Sequence, residues 1–133
     1  MMKMRFFLAT IVTIVSICLT GCSKPSAEQQ AMNTVLQSYE ALLAGDYATF
    51  LNGRAYMDSI PESFREQLLV GCKQFIRQQQ EAHEGIVGFE ASRCQMDTLQ
   101  NLMQVFLLVH FADSTTEEIT VPMVEYQGEW KMK

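Results

Sequence analysis

The apolar residues of this chain change their period at Glu84-Gly85-Ile86, and that change restricts what the chain can fold into. Before it they recur every three or four residues, the spacing of one helix face. After it they alternate, the spacing of a strand. Helices followed by strands give an α+β domain, in which the helices pack on one antiparallel sheet.

Three helices are expected. Ser26-Ala27-Glu28-Gln29 has the S-x-x-Q form of a capping box. Behind it Ala31, Met32, Val35, Leu36, Tyr39, Leu42 and Leu43 share one face. Gly45 supplies a stop, which places the first helix at about 27–44. Asp46 caps a short second helix with Tyr47, Phe50 and Leu51 on its apolar side, and 52–60 reads as loop with a short extended piece around Tyr56. Pro61 suits the first turn of a third helix over about 61–83. Its stripe is Phe64, Leu68, Cys72, Phe75 and Ile76, Gly71 beside it allows close packing, and Gly85 ends it.

The strands follow. "IVGFEASRCQM" alternates imperfectly, as a long bent strand with a bulge does. "LMQVFLLVHFA" is apolar on both parities, so both of its faces are expected to be covered. "EITVPMVEY" and the short "EWKMK" complete an antiparallel meander, and Pro122, with no N–H for a ladder, marks a bulge or an edge.

The start of the chain concerns location rather than fold. Lys3 and Arg5 precede an uncharged run from Phe6 to Leu19 that ends at Leu19-Thr20-Gly21-Cys22. This is the order of a secretory signal, and the run is short beside the roughly 20 apolar residues of a spanning helix. Leu19-Thr20-Gly21-Cys22 also resembles the bacterial lipobox. That resemblance implies a diacylglycerol on the Cys22 sulfur and cleavage before it; an ordinary signal peptide, or a short anchor that carries a cysteine, is the alternative. The expected organisation is a lipoprotein signal peptide at 1–21, a lipidated cysteine and tether at 22–27, and a single domain at 28–133. Acyl chains contribute about 0.8 kcal/mol per buried CH₂, and two or more make anchoring stable. The tether from Ser23 to Ala27 reaches about 17 Å when extended, which holds the domain close to the bilayer. "SKPSAE" lacks the acidic run of some surface-exported lipoproteins, so the periplasm-facing side of the outer membrane is the expected position.

The formal net charge is −5, and removal of 1–21 would take away two basic residues and no acid. An acidic domain of this kind is not a nucleic-acid binder, which needs a basic stripe, nor does it lie flat on anionic lipid. Cys18 would leave with the signal. Cys72 and Cys94 either form a disulfide closing a loop of about 22 residues, worth roughly 3 kcal/mol, or remain two separately buried thiols.

The layout resembles the cystatin-like α+β cone shared by nuclear transport factor 2 and ketosteroid isomerase, and small bacterial lipoproteins of that superfamily whose molecular role is unassigned. The matching stretches are "SYEALLAGDYATFL", "HEGIVGFE", "QVFLLVHFAD" and "VEYQGEWKMK". The resemblance implies a curved sheet with helices inside the curve, often a pocket at the open end of the cone, and often dimers through the sheet. It implies no particular chemistry, since this fold hosts enzymes, transport factors and binding modules.

Ketosteroid isomerase chemistry uses an Asp base and an oxyanion hole of Tyr and protonated Asp. No acid is placed inside the cone here by periodicity: Asp46, Asp58, Asp97 and Asp113 fall at caps, loops and turns, and Glu90 and Glu125 fall on solvated strand faces. His110, on a face with Phe106 and Leu108, is either a proton shuttle or a hydrogen-bonded sheet histidine; His83 is expected to be solvated. The candidate pocket residues are Tyr56, His110, Tyr126 and Trp130, with Tyr39 and Tyr47 as further aromatics that are otherwise core. No metal or cofactor is expected, since Cys72, His83, Cys94 and His110 are scattered. The expectation is a non-enzymatic, lipid-anchored envelope domain that binds a small ligand or an envelope protein and is a candidate homodimer. An isomerase- or hydratase-like enzyme in the same cone is the alternative.

Overall fold

The computed structural model describes residues 25–133. The signal segment 1–21, Cys22 and the first residues of the tether lie outside the described residues. The elements are α1 (Ala27–Leu43), α2 (Tyr47–Asn52), a 3-10 turn (Met57–Ser59), α3 (Glu62–His83), β1 (Ile86–Asp97), β2 (Leu102–Phe111), β3 (Thr116–Tyr126) and β4 (Glu129–Met132). The strands form one antiparallel sheet in the order β1-β2-β3-β4. No helix among the described residues is long and apolar enough to cross a membrane.

Helix α1 begins where Ser26 Oγ accepts from the Gln29 N–H at 3.2 Å, filling one of the four donors a helix start leaves open. It ends on Gly45 at φ 83°, with Gly45 N donating to Leu42 O and Asp46 N to Ala41 O, a Schellman closure for which glycine suits the left-handed residue. Asp46 caps α2 by accepting from Thr49 N. Pro61 stands just before α3, as its extended N-cap rather than in its first turn, and Glu84 takes the left-handed position after it.

The inward face of α1, Ala31, Val35, Ser38 and Leu42, meets the odd-numbered residues of β2. Ala31, Val35, Met103, Val105, Leu107, Val121, Met123 and Met132 form the main core, and Leu42, Leu51 and Cys72 form a smaller one beneath α3. On β2 the faces are unequal. Met103, Val105, Leu107, Val109 and Phe111 are buried, whereas Gln104, Phe106, Leu108 and His110 are half-buried. Among the described residues no second layer covers this face, which differs from the expectation from its apolar parity. Its shielding is local: the Arg93 guanidinium lies 3.6 Å from the centre of the Phe106 ring, an arrangement that keeps the charge wet and the ring covered.

The bulges expected in β1 lie between Ile86 and Gly88 and between Ala91 and Arg93. Pro122 sits in regular register opposite Gln104, so it is not a bulge. Its carbonyl accepts from Lys133 N, so its missing N–H faces the end of β4, where β3 becomes an edge. The free side of β4 is covered in turn by the segment after α2. Ala55 N donates to Met132 O at 2.7 Å and Met132 N to Gly53 O at 2.8 Å, which makes a parallel bridge at Arg54. The extended piece in this loop is thus at Arg54, and Tyr56 is left-handed at φ 67°.

Helix α3 is the loosely seated element. Cys72 is its one buried residue, while Phe64 and Val70 stay 44% and 52% exposed. A Cβ on Gly71 would meet nothing, so the close packing expected of that glycine is absent. The stripe of α3 borders a cavity instead of a tight seam.

Candidate functional site

Three adjoining cavities open around one tyrosine. The first, about 280 Å³, lies between α1, α2 and α3 and is lined by Leu42, Phe50, Leu51, Leu68, Cys72 and Phe75, with Tyr39 and Arg54. The second, about 230 Å³, runs from Tyr39, Phe50 and Arg54 to Val121, Pro122 and Met132. The third, about 190 Å³ and more enclosed, reaches between α3 and the sheet to Phe89, Val109, Phe111, Ile119 and Glu117. Tyr39 borders all three. Its ring is held edge-on against Phe50 and Phe89, with centroids 5.3 Å and 5.4 Å away, the preferred geometry for aromatic pairs.

Burial pushes the Tyr39 phenol above its ordinary pKa, and the positive charge of Arg54 opposes that shift. At neutral pH the group is a hydroxyl donor beside a cation. Arg54 also lines a fourth, charged cavity of about 330 Å³ with Arg65, Lys131, Asp58, Glu129 and Tyr126. There Lys131 pairs with Glu129 at 3.4 Å and Arg65 donates to Asn52 Oδ1 at 2.7 Å. Arg54 enters no ion pair among the described residues. An arginine half out of water without a carboxylate is a ready partner for an anion, because its fork of donors matches carboxylate and phosphate.

Of the candidate pocket residues, the structure brings two together and separates the rest. Tyr56 is 60% exposed and packs on Tyr126 at 4.6 Å, and the Tyr126 hydroxyl donates to Asp58 Oδ1 at 2.8 Å. That bond raises the Tyr126 pKa. Trp130 packs against the core and lines a separate groove beside α1. His110 is on the opposite, outward face of the sheet, with Nδ1 3.1 Å from Thr116 Oγ1 and Nε2 3.3 Å from Glu90 Oε2. The four do not form one pocket, because strand parity sends His110 away from the helices.

His83, expected to be solvated, is held on two sides. Its ring stacks on Phe111 at 4.0 Å, and Nδ1 meets Asp113 Oδ2 at 2.9 Å. Hydrogen bonds from Thr115, and then His83, keep the Asp113 carboxyl below the usual range. With Asp113 N donating to His83 O, this pair ties the end of α3 to the turn before β3. Cys72 and Cys94 are free thiols, one packed under α3 and the other against α1 and the sheet. The candidate bridge is not formed, since separate clusters hold them. Burial raises the pKa of both.

Two residues of the site had no prominence in the sequence. Arg54 is a lone arginine in a loop, and its only signal is a cation next to Ala55 and Tyr56 without a charge partner in sequence register. Glu117 falls one residue inside β3, beyond the turn, and parity with Val109 sets it on the helix side, so an acid does border the cone interior. Among the described residues no group of three or more His, Cys, Asp and Glu could hold a metal ion.

No protein-family model and no curated protein matches the chain. Among solved structures, a Campylobacter jejuni protein described as an NTF2-like transpeptidase aligns with TM-score 0.59 over 75% of this chain and 94% of its own, at 9% identity. The chain therefore has an NTF2-like α+β cone; at that identity the likeness concerns the fold alone.

Proposed function

We propose that this chain is a lipid-anchored domain of the bacterial cell envelope that binds, without catalysis, a small amphipathic anion in its cone. An apolar body would occupy the cavities walled by Leu42, Phe50, Leu68 and Phe75, and its carboxylate or similar head would meet Arg54 and the Tyr39 hydroxyl. Arg54, unmatched by a carboxylate at the junction of the apolar and the charged cavities, is the observation that carries this reading. Apolar walls with a few convergent polar groups are the ordinary build of a ligand site. The anchor through Cys22 rests on the sequence of the signal segment, and the periplasm-facing position on that of the tether behind it.

The name of the Campylobacter protein suggests acyl transfer, but a cysteine nucleophile needs a lowered pKa, and Cys72 and Cys94 are pushed the other way. A second reading, an isomerase- or hydratase-like enzyme, is favoured by Glu117 and Tyr39 bordering the same enclosed cavity, as a base and an acid would. Glu117 is solvent-exposed, a poor setting for raising a carboxylate toward neutrality.

Calorimetric titration of the full chain with octanoate separates these outcomes. Saturable binding that weakens about tenfold in Arg54→Gln, the loss of one charge-assisted hydrogen bond, is the expected result. No octanoate binding, or binding indifferent to Arg54→Gln, sinks the anion reading.

A further inference from the structure

A larger cavity than those around Tyr39 and Arg54 lies elsewhere. A groove of about 540 Å³ runs between α1 and β4, lined by Gln30, Asn33, Thr34 and Gln37 along one helix flank, by Thr49, Asn52 and Ser38, and by Trp130 on the sheet side. The helix positions are spaced as one surface stripe, opposite the stripe of α1 that is spent on the core. Gln30 Nε2 and Thr34 Oγ1 donate to the Pro25 and Gln30 carbonyls and Thr49 Oγ1 to Asp46, so these groups keep their oxygens as acceptors. The exposed Asn33 and Gln37 amides supply the donors. Glu129 and Lys131 at its end neutralise each other. Ser38 is the buried polar residue of the core boundary, 5% exposed. Its side chain borders the groove. Gly53 leaves the space the Ser38 hydroxyl occupies, since a Cβ there would collide with it.

We infer that this groove binds a neutral sugar, as part of an oligosaccharide. Asn and Gln amides and Ser and Thr hydroxyls each both donate and accept, as sugar hydroxyls do. The walls therefore match a ligand rich in hydroxyls and have no net charge with which to select an ion. The Trp130 indole adds the one broad apolar surface, suited to the C–H face of a pyranose ring. Its other side is fixed by the core, so little side-chain freedom is lost on binding. The volume falls within the ordinary range of ligand sites, about 300–1,000 Å³. Arg54 and Tyr39, the groups assigned to the anion, do not line this groove, so it stands or falls independently of them.

Trp130 is the single tryptophan of the chain, so its fluorescence reports on this groove directly. The full chain would be titrated with chitotriose and maltotriose, with N-acetylglucosamine and glucose alongside. A saturable change is expected with at least one trisaccharide, at a dissociation constant of order millimolar. It should weaken about tenfold or more in the double variant Asn33→Ala/Gln37→Ala, which removes two amides from exposed helix positions and leaves the core intact. Stronger binding of the trimer than of the monomer is the expected result, and equal binding of the two overturns the oligosaccharide assignment. No saturable response to any of the four, a response unchanged in the double variant, or a stronger response to trigalacturonate overturns the inference.

Discussion

Truncation of two neighbouring residues, Leu107→Ala and Leu108→Ala, should have very different costs. Leu107 is fully buried in the main core, opposite Ala91 and Ile119, whereas Leu108 is half-buried on the outward face between Glu90 and Glu118. Leu→Ala removes three carbon atoms, worth about 2.4 kcal/mol at about 0.8 kcal/mol each. At Leu107 the cavity left behind adds to this, for a total of about 2.5–4 kcal/mol. At Leu108 only part of the side chain is dry and water fills the gap, so the expected loss is about 1 kcal/mol. For a domain of this size each kcal/mol lowers Tm by about 4–8 °C, which places Leu107→Ala at least about 10 °C below the parent. The assay is urea and thermal unfolding by circular dichroism of both variants at several protein concentrations. Equal losses, or a larger one at Leu108, would refute the assignment of the odd residues of β2 to the helix side. A cost at Leu108 that grows with protein concentration would show that this face is covered by a second copy.

Asp113 has a lowered pKa in the folded state, so it contributes stability that is present above the unfolded carboxylate value, about 3.9, and is lost as pH falls through the folded value. The urea midpoint of the parent should drop between about pH 5 and pH 3 more steeply than that of Asp113→Asn; parallel curves would contradict this. Cys72 and Cys94 should both be alkylated after denaturation without reductant, even in protein from an oxidising compartment, and peptide mapping that finds them joined would overturn the two-thiol structure. Replacing Cys22 with Ser should move the protein from the membrane to the soluble fraction; continued sedimentation with membrane removes the anchor proposal. Ser26→Ala should lower stability by about 1 kcal/mol through loss of the α1 cap, seen as a shifted urea midpoint with unchanged slope.

Element types and order were legible because they rest on local signals. The capping box at Ser26, Asp46 before α2, the Gly45 stop and the change of period at Gly85 act within a few residues, and the helices and strands fall close to where those signals put them. Other positions were undecided by the chain. "LMQVFLLVHF" is apolar on both parities, and only the docking of α1 selects Leu107 over Leu108 for the core. That choice carries His110 outward to Glu90 and away from the cone.

The site was the least legible part, since its members meet from distant segments. Arg54 gains meaning when β4, the last strand of the chain, pairs with the loop after α2 and sets it at the edge of three cavities. Tyr39 reads as one more core aromatic until α3 fails to close over it, and the space left around it is a property of helix packing that no residue announces. Sequence determined what each segment becomes, because capping, turn geometry and apolar period are settled between neighbours along the chain. Tertiary structure alone decided which faces are dry, which thiols stay apart and where a cation stands without a partner, because burial and pairing depend on what arrives from elsewhere in the fold.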